Sequence, residues 1–344
     1  MLCKLACISM PPFVSIIVPC YNEEASIRHL LGALLEQTYP RENMEVVISD
    51  GMSSDRTRAV ISDFGRENPD LSLRVVDNPA RTIPSALNRA IRQARGEMIV
   101  RLDAHSMPYP DYVEKCVKAL ESGNGDNVGG VWEIRPGART WMAQSIAAAA
   151  AHPLGVGDAM YRLRPRAGAV DTVPFGSFRK ALIEEIGWFD ESLLTNEDYE
   201  FNARVRGAGG TIWLDPSIRS VYFSRATLGQ LAGQYWRYGF WKWRMLRRYP
   251  HTLRWRQGLP PLFVISLGGL ALLSFWFQWA RFALAAQLLI YFISLVAAAV
   301  FEAYGRKKPF IVFGLPPAIL TMHLAWGCGF IWSLILGVVK LKNG

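Results

Sequence analysis

Short runs of β-branched residues alternate with helical apolar stripes over the first hundred residues. Residues 14–18 form a strand-length run that Pro19 should close, and apolar positions three and four apart between residues 24 and 37 predict an amphipathic helix. The connections are too long for hairpins, so we expect a parallel sheet wound by helices, which is an α/β fold. The other predicted elements are strands at 45–48, 71–76 and 98–102 and helices at 55–66 and 83–94.

Three long uncharged apolar runs occupy the end of the chain. They cover residues 262–280, 282–301 and 310–339, and about 20 helical residues cross the hydrocarbon of a bilayer. Three such runs leave almost no polar face for water, so we predict about three transmembrane helices and not the buried helices of a soluble domain. Pro316 and Pro317 leave open a re-entrant piece followed by a span.

Charge is divided between the two parts of the chain, whose overall formal charge is +9. Residues 1–225 hold 25 Lys or Arg against 28 Asp or Glu, whereas residues 226–344 hold 13 against one, together with eight of the twelve tryptophans. Basic and aromatic residues that flank apolar runs are typical of a membrane surface, and they argue against a nucleic-acid partner. We therefore predict a cytoplasmic domain at 1–225, a basic-aromatic membrane-surface segment at 226–258 and transmembrane helices at 259–344.

The cellular location of the protein is predicted from its first residues and from the charges that flank the apolar runs. We expect no signal peptide, because the first ten residues are interrupted by Lys4 and no small-residue cleavage site follows them. Basic clusters at 247–256 and 306–308 lie on either side of the first two runs, and the positive-inside rule puts both in the cytoplasm. The prediction is a multi-pass protein of the cytoplasmic membrane with its first 225 residues on the cytoplasmic side. If the helices only anchor it, residues 1–257 should fold alone.

Cysteine and histidine usage adds two observations. Five cysteines contain no CxxC pair, which fits a reducing compartment and argues against a zinc module. His323 stands inside the third apolar run, where an ionisable residue is either functional or a hydrogen-bonding partner for another helix. Both interpretations of His323 stay open at this point.

Acidic residues follow three of the predicted strands. Glu23 follows the first strand, Asp50 the second, and Asp103 with His105 the fourth. The carboxyl ends of parallel strands meet at one edge, where such sheets bind ligands. A carboxylate there can accept a hydrogen bond from a nucleobase or ribose, and an Asp-x-His pair can hold a divalent cation. Each loop alone would be a turn or helix cap, so the argument depends on their sharing one edge.

Adjacent acids open a later helix. Glu197 and Asp198 suit the positive end of the helix dipole, which is sufficient to explain them. The functional interpretation is a carboxylate placed as a general base.

Five segments taken together resemble the family-2 glycosyltransferases over about residues 1–240. They are residues 15–23, residues 50–57, Asp103-Ala104-His105, Glu197-Asp198, and Gln234-Tyr235-Trp236-Arg237-Tyr238. The first two segments resemble the family's opening strand and loop and its second nucleotide-binding loop. The third resembles its metal-binding Asp-x-Asp. The fourth resembles its acceptor-site Glu-Asp, and the fifth its QxxRW motif with Tyr in place of Trp. The chain looks most like the membrane-bound subgroup that builds succinoglycan-type exopolysaccharides. This resemblance implies a nucleotide-diphospho-sugar transferase domain of GT-A-like fold with a mostly parallel sheet.

The resemblance also implies residue roles. The nucleobase and ribose of the donor would be held by Pro19, Tyr21, Glu23, Asp50 and Asp103. A metal would be bound by Asp103 and His105. Asp198 would be the catalytic base, and the acceptor or the diphosphate would be contacted by Glu197, Gln234 and Arg237.

The implied activity is that of an inverting, metal-dependent hexosyltransferase. It would use a nucleoside-diphosphate sugar, a UDP-sugar before others, and a polyprenyl-diphosphate-linked acceptor in exopolysaccharide assembly. Because imidazole suits Mn²⁺ better than Mg²⁺, His105 tilts the expected cofactor toward Mn²⁺; the alternative is that His105 only packs. Two rival functions remain: a processive polysaccharide synthase, which usually has helices before its catalytic domain, and a membrane-tethered nucleotide-sugar-binding pseudoenzyme.

Overall fold

The computed structural model describes residues 10–163 and 166–342, without the side chains of His251 and of residues 338–342. Backbone contacts divide the chain into two compact units. The first contains the described residues up to Gly130, Arg166–Glu191 and Arg204–Ser220, and the second contains the remainder. The predicted boundaries at residues 225 and 258 stay a prediction.

Nine strands and twelve α-helices make up the described chain. The strands are β1 (Val14–Cys20), β2 (Met44–Asp50), β3 (Leu73–Asp77), β4 (Met98–Arg101), β5 (Met107–Pro108), β6 (Asn127–Arg135), β7 (Gly168–Ala169), β8 (Ser177–Arg179) and β9 (Ile212–Phe223). The helices are α1 (Ile27–Leu35), α2 (Thr57–Glu67), α3 (Ile83–Gln93), α4 (Tyr112–Glu121), α5 (Trp141–Ala150), α6 (Pro153–Val156), α7 (Leu182–Ile186), α8 (Glu197–Gly207), α9 (Leu228–Leu246), α10 (Trp255–Leu273), α11 (Gln278–Arg306) and α12 (Ile311–Lys342).

The first unit is built on the predicted parallel sheet. Strands β3, β2, β1 and β4 lie side by side in that order and all run parallel. Strand β8 adds to β4 in the antiparallel direction. Every residue of β1 and β2 is buried, because helices cover both faces of a parallel sheet, and the strands are mostly apolar. The α/β prediction is confirmed.

One expected strand end is wrong. Strand β1 does not stop at Pro19 but continues to Cys20, and Pro19 pairs in register with Ser49 of β2. The pairing of β1 with β4 ends at Ile17. From there on β1 has a strand on one side only, and a proline is tolerated where a ladder hydrogen bond is not required on both sides.

The second unit contains the three long apolar helices α10, α11 and α12. By length and composition each could cross a membrane, so the prediction of about three helices of this kind is confirmed. Their bounds differ from the apolar runs. The chain leaves α10 after Leu273, inside the predicted first run, because uncharged Ser274–Phe277 forms a turn that hydropathy alone does not show. The re-entrant alternative is wrong, since α12 continues through Pro316 and Pro317.

Two of these helices, α11 and α12, share a core with helices that precede them. One buried cluster joins α5, α9, α11 and α12, and its members include Ile146, Leu231, Tyr235, Leu295, Ala299, Leu315 and Met322. Helices α9 and α12 pack backbone to backbone: a Cβ on Gly239 would lie 2.0 Å from the Trp326 carbonyl oxygen. Helices α11 and α12 are therefore part of the core of the second unit, and the folding of residues 1–257 alone stays a prediction.

His323 lies inside this packing. Its Nε2 donates to the Leu154 carbonyl oxygen at 2.8 Å, which leaves Nδ1 to accept from the Tyr291 hydroxyl at 2.8 Å. Both ring nitrogens are used to join α11 and α12 to α6, so the interpretation of His323 as an inter-helix hydrogen-bonding residue is the one that the structure supports.

Candidate active site

The loops after β1 and β2 are fastened to each other in the first unit. The Asn22 backbone N–H donates to Ser53 Oγ at 2.9 Å, and Asn22 Oδ1 accepts from the Ser54 N–H at 2.8 Å. The Glu23 N–H donates to Thr57 Oγ1 at 2.7 Å. Asn22 has a φ of 53°, in the left-handed region that asparagine tolerates. These bonds hold Glu23 and Asp50 at one edge of the sheet, as predicted.

Asp50 is a fully buried carboxylate with a charged partner. It accepts from Arg58 Nε at 2.6 Å and from the Ser53 N–H at 3.0 Å. Arg58 also donates through Nη2 to Asp77 at 2.5 Å, and these bonds to Asp50 and then Asp77 raise the pKa of Arg58. The sequence indicated Asp50 but not Arg58 or Asp77, because neither belongs to a recognisable motif. Arg58 therefore fixes the orientation of Asp50, one of the carboxylates that the resemblance assigns to the nucleotide-sugar donor.

We expect Arg58→Lys to weaken donor binding. A lysine ammonium lacks the rigid planar guanidinium by which Arg58 reaches both Asp50 and Asp77, so Asp50 would lose its fixed orientation. The KM for the nucleotide sugar should rise by about tenfold, the loss of one charge-assisted hydrogen bond, with kcat less affected. Steady-state kinetics check this. Arg66→Lys on the same helix, at an exposed pair with Asp63, is the control, and an equal effect in both variants contradicts the assignment.

Tyr21 presents an aromatic ring beside Asp50. Tyr21 is 45% exposed, and the Arg81 guanidinium lies 5.8 Å from the centroid of its ring. A Cβ on Gly51 would approach Tyr21 Cδ2 to 3.1 Å, so the bare glycine lets the ring lie close to the backbone. An exposed ring at a sheet edge offers a stacking face for a planar base.

Cys20 is a poor nucleophile, because burial and the charge of Asp50 raise the pKa of its thiol to about 12.

The loop after β4 brings the third set of predicted residues to Glu23. His105 Nδ1 donates to Glu23 Oε1 at 3.0 Å, and Arg101, buried at the end of β4, donates to Asp103 Oδ1 at 3.1 Å. Burial opposes ionisation of Glu23, but the hydrogen bonds from His105 and then Ser26 outweigh it and lower the Glu23 pKa. Glu23 is therefore an anion beside His105 at neutral pH.

The side chains of Asp103 and His105 are suitable ligands for a divalent cation that a substrate also coordinates. The charge of Asp103 acts to raise the pKa of Glu23, so the two carboxylates are near neighbours, and His105 adds a nitrogen. In the described ranges, no group of three His, Cys, Asp or Glu side chains is placed to hold a metal by itself. Ions such as Mg²⁺ are commonly bound by one or two side chains together with substrate phosphates. Asp103 and His105 fit that pattern.

The predicted acceptor residues belong to the second unit. At the start of α8, Glu197 is buried with 8% exposure, whereas Asp198 is half-buried and reaches the surface. Two hydrogen bonds flank these acids. Asn196 Nδ2, directly before them, donates to the Tyr238 carbonyl oxygen at 3.5 Å, and the Tyr199 hydroxyl, directly after them, donates to the Thr252 carbonyl oxygen at 3.3 Å. Of the two acids, Asp198 is the one open to a substrate.

The two residues of the QxxRW-like motif have different surroundings. Gln234 is buried and its Nε2 donates to the hydroxyls of Tyr222 at 3.0 Å and Tyr238 at 2.8 Å. Arg237, three residues further along α9, is exposed. Gln234 therefore organises the interior next to the motif, while Arg237 is available to an anionic ligand.

An arginine that the sequence did not indicate lies beside this network. Arg162 is buried with its guanidinium 5.0 Å from the Trp132 ring and 5.6 Å from the Tyr222 ring. Trp132 and Tyr222 stack with centroids 4.2 Å apart. Tyr222 thus connects Arg162 to Gln234. No signal in the sequence could have found this cation–π cluster, because its members are far apart along the chain.

The fold and this arrangement of acidic loops define a nucleotide-sugar transferase of the GT-A type. The family model "Glycosyl transferase family 2" matches residues 15–187, half of the chain, and the protein belongs to this family. The match ends before the two acids of α8 and before the motif on α9, so their roles do not follow from it.

Relatives match over nearly the whole chain. The succinoglycan biosynthesis protein ExoA of Rhizobium meliloti is 29% identical, covering 93% of this chain and 94% of its own. A dolichyl N-acetyl-α-D-glucosaminyl phosphate diacetamido-dideoxy-glucuronosyltransferase of Methanococcus voltae is 26% identical, covering 96% and 99%. The solved mannosyltransferase of Pyrobaculum calidifontis in complex with GDP-Man and Mn²⁺ shares the fold, with a TM-score of 0.61 at 22% identity, covering 94% and 88%.

Proposed function

We propose that this glycosyltransferase moves a hexose from a nucleoside-diphosphate sugar to a hydroxyl of a lipid-linked acceptor, with inversion, during assembly of an exopolysaccharide or another cell-surface glycan. The observation that carries the proposal is the edge of the sheet where Asp50 is held by Arg58 and Glu23 is held against His105. Fixed carboxylates beside an exposed aromatic ring suit a nucleoside, which offers N–H and hydroxyl donors and a planar base.

The relatives support the two substrates. The mannosyltransferase of the same fold was solved with GDP-Man, which is a nucleoside-diphosphate sugar. The Methanococcus relative is named for transfer to a dolichyl phosphate sugar, and the Rhizobium relative for succinoglycan biosynthesis. A lipid-linked acceptor also suits a chain with three helices long enough to cross a membrane. We assign the acceptor to a polyprenyl diphosphate, the first unit to the cytoplasmic side, and the donor to a UDP-sugar.

The chemistry assigned to the chain is a single displacement. The acceptor hydroxyl oxygen forms a bond with the anomeric carbon while the bond from that carbon to the phosphate oxygen breaks, which inverts the configuration. Asp198 takes the hydroxyl proton, the role of a general base. The electron pair of the broken bond leaves with the nucleoside diphosphate, and we assign the exposed Arg237 to pair with that diphosphate.

The metal is assigned to Asp103 and His105. A divalent ion bound there would stabilise the negative charge that develops on the departing diphosphate. Because an imidazole ligand suits Mn²⁺ better than Mg²⁺, we propose a preference for Mn²⁺. The structure in which the relative of the same fold was solved contains Mn²⁺.

Substitutions at His105 test this metal assignment. His105→Ala should raise the Mn²⁺ concentration needed for half-maximal activity by about tenfold or more. Loss of a residue that only hydrogen-bonds to a metal ligand already weakens metal binding by about that factor, and loss of a ligand should cost at least as much. His105→Asp should retain activity and shift the preference toward Mg²⁺, which favours oxygen. Metal titrations of the transfer rate measure both. His29→Ala, at an exposed position of α1, is the control, and an unchanged metal response in His105→Ala makes His105 a packing residue.

A panel of nucleotide sugars tests the proposed function. The full chain in detergent is assayed with UDP-, GDP-, dTDP- and CDP-sugars and a polyprenyl-diphosphate-linked sugar, with and without Mn²⁺. We expect release of nucleoside diphosphate from one donor, dependent on the metal, and one sugar added per acceptor. Long products would establish the processive synthase, and donor binding without turnover would establish the pseudoenzyme.

A further inference from the structure

A pocket separate from the candidate active site lies in the second unit, at the C-terminal end of α9. Its volume is about 640 Å³. The walls come from the last turns of α9, from the end of α12 at Ser333–Gly337, and from Ser192 and Leu193. None of the residues assigned to the donor, the acceptor or the metal lines it.

The walls of this pocket are strongly basic. Arg244, Arg247 and Arg248 all line it, and no Asp or Glu is among its described lining residues. Two of these arginines are held in place: Arg248 Nη1 donates to Ser192 Oγ at 2.6 Å, and the Arg244 guanidinium lies 4.9 Å from the Trp241 ring. Three guanidinium groups at one pocket favour an anion, and their planar donor arrangement matches phosphate oxygens.

Two further hydrogen-bond donors in the pocket lining are buried and make no hydrogen bond to the described residues. Ser333 is 3% exposed, and neither its hydroxyl nor the buried Trp243 Nε1 has a hydrogen-bond partner in the part of the chain that the structure describes. Gly337 leaves room in front of them, because a Cβ there would lie 3.2 Å from Trp243 Nε1 and 3.7 Å from Arg247 Nη1. Burying a polar group without a partner costs free energy, and an acceptor-rich ligand in the pocket would remove that cost.

The position of the pocket indicates which phosphate it takes. Trp241, Trp243 and the three arginines belong to residues 226–258, the basic-aromatic segment whose composition predicts a place at a membrane surface. Lipid headgroups lie at that surface, and tryptophan and arginine side chains are favoured there. Leu193 and Leu336 add apolar walls that suit the glycerol and upper acyl region of a lipid.

We propose that this pocket binds the phosphate headgroup of an anionic membrane phospholipid. The arginines, Ser333 and Trp243 supply donors to the phosphodiester, and the leucines contact the lipid below it. Such a site would fix the end of α9 against α12 at the membrane surface. The proposal does not depend on the reaction assigned to the protein, since no catalytic residue belongs to the pocket.

Native mass spectrometry of the full chain in detergent, after delipidation, tests this site with phosphatidylglycerol and phosphatidylcholine. We expect one tightly retained phosphatidylglycerol and no comparable retention of phosphatidylcholine. Arg244→Gln with Arg247→Gln should weaken retention by about tenfold or more, since each basic residue at an anionic surface contributes to binding. Gly337→Leu should weaken it as well, by filling the space before Trp243 with no change of charge. Arg225→Gln with Lys307→Gln, two exposed positions outside the pocket, should have no effect.

Three outcomes overturn the proposal. Equal retention of phosphatidylglycerol in every variant shows that the lipid binds elsewhere. Displacement of the lipid by millimolar inorganic phosphate shows a site for a soluble anion. Binding of polyprenyl diphosphate with no retention of phosphatidylglycerol shows a subsite for the acceptor lipid. Because none of these measurements uses sugar transfer, a failure here is separate from a failure of the proposed function.

Discussion

Asp198→Asn should lower the rate of sugar transfer by about 100-fold or more, the contribution expected of a general base. Asparagine keeps the shape of the side chain and is as good a residue for a helix start as aspartate, but its amide cannot take a proton from the acceptor hydroxyl. Asp198 is half-buried at the surface of α8, next to the buried Glu197. Donor binding should survive, because the residues assigned to the nucleotide-sugar donor lie at the ends of β1 and β2 and in the loops after β1 and β4.

Three measurements separate a base from a structural residue. The transfer rate should fall while the affinity for the nucleotide sugar and the unfolding temperature in detergent stay near those of the unsubstituted chain. Asp111→Asn, the same change at the N-cap of α4, should leave transfer unaffected. A rate for Asp198→Asn within a few-fold of the unsubstituted chain would remove Asp198 from the mechanism, and a large drop in unfolding temperature would assign it a structural role.

Gly239→Ala should destabilise the second unit by about 3 kcal/mol or more, at the upper end of the cost of overpacking. The added methyl would lie 2.0 Å from the Trp326 carbonyl oxygen. That oxygen belongs to the backbone of α12, so a side-chain rotation cannot make room and the two helices must separate. On an open helix surface the same substitution would stabilise by about 1 kcal/mol, because alanine has a higher helix propensity than glycine. Packing therefore reverses the sign of the effect.

Thermal unfolding of the full chain in detergent measures this difference. Gly233→Ala is the matched control on α9, since the nearest atom to its Cβ would be Arg237 Nη1 at 4.0 Å. It should leave the unfolding temperature unchanged or raise it slightly. Gly329→Ala, whose Cβ would lie 2.3 Å from the Trp236 carbonyl oxygen, should resemble Gly239→Ala. If Gly239→Ala and Gly233→Ala unfold alike, the close contact of α9 with α12 is not required for stability.

The sequence alone was sufficient for the α/β class and for the order of the early elements. Local pattern decides those features, because a strand buried on both faces is mostly apolar and a surface helix carries an apolar stripe. The parallel sheet then determined that Glu23, Asp50 and His105 would share one edge. The three long apolar helices followed from hydropathy in the same way, although their ends did not, since uncharged turn residues and prolines within a helix leave no mark on hydropathy.

Only the tertiary structure decided which side chains serve the site and which serve the core. Gln234 and Arg237 belong to one motif, yet the first is buried and hydrogen-bonded to Tyr222 and Tyr238, whereas the second is exposed. Arg58 became a partner of Asp50 because α2 places it there. These assignments depend on long-range packing, which local periodicity does not encode, and that is why the sequence located the site but not the residues that hold it in place.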